Sequence, residues 1–122
     1  MVFFDLDKFK AVNDTQGHLA GDAVLRGVGA MLLRQVRQGM DYPCRYGGDE
    51  FVVIVTEVDQ ERLRAIGQRM LTDVRELFKG LVTISAGASM LRADDTPETL
   101  LGRVDNLAYT SKTAGGDTLS EG

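Results

Sequence analysis

Two pairs of acids carry the clearest chemical signal in the sequence. Asp5 and Asp7 close the apolar run MVFFDLD, and Asp49 with Glu50 directly follows Gly47-Gly48. Neighbouring carboxylates repel, and an oxygen-binding divalent cation relieves that repulsion. A magnesium site is the chemistry this pattern suggests, provided that the fold brings Asp5 and Asp49 together. The same acids equally suit solvated strand ends and turn residues. Gly47-Gly48 removes side chains from its turn, so it either lets a base or phosphate approach the backbone or simply closes a tight hairpin.

The elements that must position these groups follow from the apolar spacing. Met1 to Asp7 suits a buried strand whose C-terminal end emerges at the sheet edge. Lys8 to Asn13 is short and mixed, and the turn-forming NDTQGH follows it. From Ala20, the positions Val24, Leu25, Val28, Leu32 and Val36 make the stripe of an amphipathic helix running to about Arg37. YPCRY, the Gly47-Gly48 turn and EFVVIVT then read as a β-hairpin. A second helix begins at the N-cap Asp59 and is predicted to bury Leu63, Ile66, Met70, Val74 and Leu77. LVTISAGAS is a strand whose Gly87 marks a close backbone approach. Thr96-Pro97 opens the last helix, with Leu100, Leu101, Val104 and Ala108 inside, and Ala114-Gly115-Gly116 ends it. This order predicts an α+β fold, with helices on one face of a mainly antiparallel sheet in a ferredoxin-like arrangement. A doubly wound parallel sheet fits less well, because the hairpin would interrupt its alternation.

The 122 residues are 43% hydrophobic and 26% charged, the balance of one globular domain rather than a disordered chain. Fourteen Lys and Arg against eighteen Asp and Glu leave a net charge of −4, which disfavours nucleic acid as a partner. A small phosphorylated ligand is compatible with that charge, given metal ions and a few placed amides. Cys44 has no partner for an internal disulfide and is expected to be a small buried apolar residue on the hairpin. The methionines read as core filling. No run approaches the roughly 20 apolar residues of a membrane span, and the N-terminus lacks a secretory layout. The expectation is a cytoplasmic domain that makes no membrane contact of its own.

The string RYGGDEF from Arg45 to Phe51, preceded by FDLDKFKAVNDTQGHLAGD from Phe4 to Asp22, resembles the GGDEF family of diguanylate cyclases over nearly the whole chain. That resemblance implies a nucleotidyl-cyclase or polymerase-palm type of antiparallel sheet. It also implies that two GTP molecules are joined into cyclic di-GMP, with each domain of an antiparallel homodimer holding one GTP. By the same resemblance, Asp5, Asp49 and the Leu6 carbonyl would hold Mg²⁺ or Mn²⁺, and Glu50 would help bind metal or prepare the attacking hydroxyl. Asn13 and Asp22 would recognise guanine. The amides of Lys8 and Phe9 would face the terminal phosphates, joined by Lys112 as a compact positive charge. His18 matches the family's Gly-His turn and reads as structural, because no nucleophile or second ligand accompanies it.

Four departures from the family pattern shape the expectation. The chain begins at the first strand, without the family's N-terminal helix, and is read as one GGDEF domain over residues 1–122 that also lacks part of its C-terminal end. Either Met1 is an internal methionine of a longer protein or part of the chain lies outside this sequence. Gly116 stands where a phosphate-gripping arginine is expected, with Asp117 beside it. Of the inhibitory Arg-x-x-Asp motif only Asp41 is in place, because Gln38 occupies the arginine position and Arg37 is one residue out of register. Only Lys79-Gly80 separates Phe78 from the following strand, where a hairpin is usual.

The leading expectation is therefore a diguanylate cyclase domain in bacterial second-messenger signalling. The alternative is a catalytically weak or inactive GTP-binding regulatory module, and a third reading is an interaction domain that binds no nucleotide. In each case a longer parent protein would carry fused sensory or cyclic di-GMP phosphodiesterase domains, and that parent could be membrane-anchored.

Overall fold

The computed structural model describes residues 1–122. In chain order the elements are β1 (Val2–Asp7), α1 (Phe9–Gln16), α2 (His18–Gln35), β2 (Tyr42–Arg45), β3 (Glu50–Ile54), α3 (Gln60–Leu77), β4 (Thr83–Ala88), α4 (Pro97–Thr113) and β5 (Thr118–Glu121). The five strands form one sheet in the order β2-β3-β1-β4-β5. Every neighbouring pair is antiparallel except β4 with β5.

Strand β1 lies at the centre and is covered on both faces. Its even residues Val2, Phe4 and Leu6 enter the larger core with Val28, Leu32, Leu63, Met70, Val74 and Ile84, beneath α2 and α3. Its odd residue Phe3 points the other way and packs with Val52, Leu100, Val104 and Ala108, beneath α4. The prediction of helices on one face is thus corrected: α4 covers the opposite face. The physical signal was already present in MVFF and FVVIV, because continuous apolar runs bury both faces whereas a one-sided sheet alternates.

Gly87 is where α4 comes down on the sheet. A Cβ built there would lie 2.7 Å from the backbone nitrogen of Ala108 and would also press on the Val104 carbonyl oxygen. The two later helices start as their sequences predict. Asp59 accepts from the Arg62 amide at 2.8 Å, and Thr96 and Thr99 form a reciprocal capping box ahead of α4.

Four local expectations change. Asp14 to Gln16 are helical rather than a turn, and the chain reverses at Gly17 alone. Cys44 is exposed, because β2 is an edge strand. Leu77 in the last turn of α3 is 43% exposed, while Leu71 is buried instead. After α4 the chain adds β5, which lies parallel to β4. TLSE is four half-polar residues with no alternation of its own, and it becomes a strand only because β4 offers an edge.

Gly87→Ala is expected to destabilise the fold by about 1–3 kcal/mol, since the added methyl meets helix backbone rather than a flexible side chain. Urea unfolding followed by circular dichroism measures it, and an unchanged midpoint would show that α4 can shift freely on the sheet.

Candidate functional site

The site grows from the register of the two central strands. Asp5 pairs with Glu50 across β1 and β3, and the Leu6 amide donates to the Asp49 carbonyl at 3.0 Å, just beyond the end of β3. Asp5 and Glu50 share the sheet face of Phe3 and Val52, beneath α4. The turn between β2 and β3 is held by its own signature residues. Arg45 donates to the carbonyls of Gly47 and Gly48, its shortest bond being 2.7 Å. The amides of Tyr46 and Gly47 both donate to the Glu50 carbonyl. The Tyr46 ring meets Phe3 edge-on at 5.8 Å, and Phe51 stacks on Phe4 at 5.3 Å on the other face. The Glu50 carboxylate occupies the space where a side chain on Gly47 would begin. Gly47-Gly48 therefore makes the tight turn and also clears room for an acid.

Lys112 reaches across from α4, and its Nζ lies 2.9 Å from Asp5 Oδ1. Burial is the main force raising the Asp5 pKa. The charges of Asp49 and Asp7 push the same way, and Lys112 pulls against them. Burial also raises Glu50, followed by the charges of Asp49, Asp105 and Asp5. For Lys112, burial alone would lower the pKa, but Asp5, Asp7 and Asp49 together outweigh it and the shift is upward. The Asp49 charge thus reaches both Asp5 and Glu50. No group of three or more His, Cys, Asp or Glu side chains converges here. Two carboxylates with a backbone carbonyl are nonetheless a hard, all-oxygen set, and magnesium commonly takes one or two carboxylates with its remaining positions filled by water and phosphate. The donor chemistry fits that ion.

Asp7, grouped with Asp5 in the sequence, has another task. Its carboxylate accepts from Ser85 Oγ at 2.7 Å, Thr83 Oγ1 at 2.8 Å and the Asp117 amide at 2.9 Å. It ties β1 to β4 and to the turn after α4. Gly116 lies against it at φ 77°, with a Cβ position only 2.9 Å from Asp7 Oδ2. An arginine there would need strained backbone and would meet the carboxylate at its first side-chain atom. A cleft of about 440 Å³ opens beside this turn, and no hydrophobic residue lines it. Lys8, Lys112, Arg75 and Asp117 are among its walls.

The remaining expected residues sort as follows. Lys8 takes a left-handed conformation, φ 65°, and turns the chain from β1 into α1, so that Phe9 opens that helix. The Lys8 amide has no acceptor within the chain, and the Phe9 amide, at the first position of α1, has no intrahelical partner. The Asn13 side chain lies against Gly21 of α2, the residue before Asp22, so the two guanine candidates sit on adjacent helices. His18 is exposed at the start of α2. Asp41 is buried and gripped by Arg37, whose Nε, Nη2 and amide all donate to it at 2.8–3.0 Å, and its pKa is lowered chiefly by that side-chain bond. The out-of-register arginine thus occupies the surviving acid of the inhibitory motif. Sequence reasoning did not assign Arg45, Arg75 or the bonding of Asp7. For Asp7, the nearby Thr and Ser at alternate positions of TIS were the available signal.

The pKa directions set a pH dependence. Asp5 and Glu50 bind protons more tightly in the folded chain than in the unfolded one. Their favourable contribution is therefore complete below about pH 4, and it is lost as pH rises through their raised values. Asp49→Asn removes a like charge from both groups. Carboxyl NMR titration of this variant is expected to show both midpoints moving down, and unmoved midpoints would mean that Asp49 stands electrically apart.

Comparison with known proteins identifies the family. Residues 1–118 match the family pattern described as diguanylate cyclase, GGDEF domain. The response regulator PleD of Caulobacter vibrioides is 41% identical over 93% of this chain, which spans 27% of that protein. Diguanylate cyclase DgcP of Pseudomonas aeruginosa is 35% identical over 98% of the chain, which spans 18% of it. Among solved structures, the coiled coil and GGDEF domain of DgcB from Caulobacter crescentus, in complex with c-di-GMP, superposes with a TM-score of 0.92 at 25% identity. That match covers 99% of this chain and 68% of the other. With the family pattern matched over residues 1–118 and a relative 41% identical over 93% of the chain, this chain belongs to the GGDEF domain family of diguanylate cyclases.

Proposed function

We propose that this domain holds GTP with a divalent cation and, when two copies meet, condenses two GTP into cyclic di-GMP. The observation that carries the reading is the Asp5–Lys112 ion pair at the end of β1, opposite Glu50 and within the field of Asp49, beside a polar cleft that Lys8 and Lys112 line. A purely structural turn needs no half-buried carboxylate with raised proton affinity beside two further acids.

In each half of the reaction the 3′-hydroxyl oxygen of one GTP forms a bond to the α-phosphorus of the other. The bond from that phosphorus to the β-phosphate oxygen breaks, and pyrophosphate leaves. Two such steps close the ring and release two pyrophosphates. Asp5, Asp49 and the Leu6 carbonyl would hold Mg²⁺ or Mn²⁺, which supplies charge neutralisation at the phosphates and lowers the pKa of the attacking hydroxyl. Glu50, with its raised pKa, is a better proton acceptor than an ordinary surface carboxylate. The amides of Lys8 and Phe9 and the Lys112 ammonium would bind the phosphates. Asp22 would accept from the guanine ring N–H and exocyclic amine, with Asn13 completing the edge. Adenine does not present those donors in that arrangement.

The second reading, a GTP-binding regulatory module with weak or no turnover, is favoured by Gly116. The Cβ contact with Asp7 keeps an arginine from that position. In both readings the domain is part of a longer signalling protein with further domains. No helix is long and apolar enough to cross a membrane.

Purified protein at high concentration with Mg²⁺ or Mn²⁺ is expected to form cyclic di-GMP from GTP. GTP binding without product supports the module instead, and affinity for neither GTP nor ATP removes both readings. Asp49→Ala is expected to abolish metal-dependent turnover with little loss of stability, since relief of carboxylate repulsion offsets lost contacts. A stability collapse matching the activity loss would count against a dedicated metal role. Asp22→Ala should erode the preference for GTP over ATP by about tenfold or more, as measured by competitive binding.

A further inference from the structure

The cleft beside the Gly115–Asp117 turn holds more positive charge than its sequence position suggests. Its walls carry three cations, Lys8, Arg75 and Lys112, against the carboxylates of Asp7 and Asp117. Asp7 is already satisfied by three hydrogen bonds. Arg75 enters from the last turn of α3, and its guanidinium is fixed by two bonds to Asp117, from Nε at 2.8 Å and Nη2 at 3.0 Å. That grip orients the guanidinium plane and leaves Nη1 without an acceptor in the chain. A fixed guanidinium with free donors, in a cleft with no hydrophobic wall, is suited to a phosphate oxygen.

Position 116 cannot serve in this way, because Gly116 has positive φ and its Cβ position touches the Asp7 carboxylate. The route from α3 into β4 is short, turning at Lys79 (φ 52°) and Gly80 (φ 79°), and Gly80 itself lines the cleft. The end of α3 is thereby held at the cleft wall. We infer that Arg75 is the phosphate-gripping arginine of this domain, binding the γ-phosphate of GTP from α3 across from Lys8 and Lys112. This rests on the proposed GTP site and identifies which residue distinguishes a triphosphate from a diphosphate. Asp117 acts as a positioning residue that also damps the charge.

The test is equilibrium binding, with Mg²⁺, of GDP and of a GTP analogue whose α and β phosphorus atoms are joined by methylene, so that pyrophosphate cannot leave. The unaltered chain is expected to bind the triphosphate more tightly than GDP. Arg75→Ala should weaken the triphosphate by about tenfold and leave GDP little changed, removing the preference. Arg75→Lys should recover part of it. Asp117→Asn keeps the turn, since asparagine tolerates left-handed backbone, but loses the two-oxygen grip that orients the guanidinium, and should weaken triphosphate binding less than Arg75→Ala does while sparing GDP. Arg75 is 45% exposed, so its loss leaves the core intact, and matching melting temperatures would verify this. Equal loss for both nucleotides, or no loss for either, overturns the role of Arg75 while the GTP site stands. If the unaltered chain binds neither nucleotide, the proposed site falls and this inference falls with it.

Discussion

The structure depends on the pairing of β1 with β3 being carried to the first residue of β3. Asp5 stands opposite Glu50, and the Leu6 amide continues the ladder to the carbonyl of Asp49, one residue outside β3. A slip of one residue would turn Asp5 into the α2–α3 core and Phe4 towards α4, because side chains alternate across a strand. The stacking of Phe51 on Phe4 and the edge contact of Tyr46 with Phe3 hold the register from both faces. Aromatic residues of the signature thus set the position of its acids.

The odd-numbered face of β1 shows how one strand serves both packing and chemistry. Phe3 is buried beneath α4, Asp5 is half-buried at the edge of the site, and Asp7 is buried again but fully bonded. The difference between the two acids lies in their neighbours. Asp7 faces Thr83 and Ser85 hydroxyls, whereas Asp5 faces Glu50 and senses the charge of Asp49. Asp5 therefore keeps an unrelieved demand for positive charge, which Lys112 answers in part. A buried carboxylate with raised proton affinity opposes folding at neutral pH, and retaining such groups suits a site in which a cation and a nucleotide complete the balance.

The turn after α4 has a similar double role. Its Asp117 amide closes the shell around Asp7, and its Asp117 side chain holds Arg75 of α3. Three separate segments, the end of β1, the end of α3 and the start of β5, are joined there by short charged bonds. Around Asp41 an ion pair forms over a shorter span, with Arg37 four residues earlier in the chain as its partner. Charge in this domain is placed largely by local partners, in keeping with a net charge of only −4.

Much of this was legible in the residues themselves. Helix caps at Asp59 and Thr96, the hairpin around Gly47-Gly48, the close approach at Gly87 and the family itself all follow from local chemistry or from short motifs. These signals act over a few residues, and the chain carries them wherever it folds. What the sequence could not supply were relations between distant segments. The face covered by α4, the exposure of Cys44 on an edge strand and the pairing of β5 with β4 depend on which neighbour a strand finds. The different fates of Asp5 and Asp7 and the arrival of Arg75 at the polar cleft arise only when residues roughly forty to more than a hundred positions apart come within hydrogen-bond range. Local propensity and spacing determined the elements and named the acids. Tertiary contact alone decided which acid is left wanting a cation, because desolvation and proximity are properties of the packed chain.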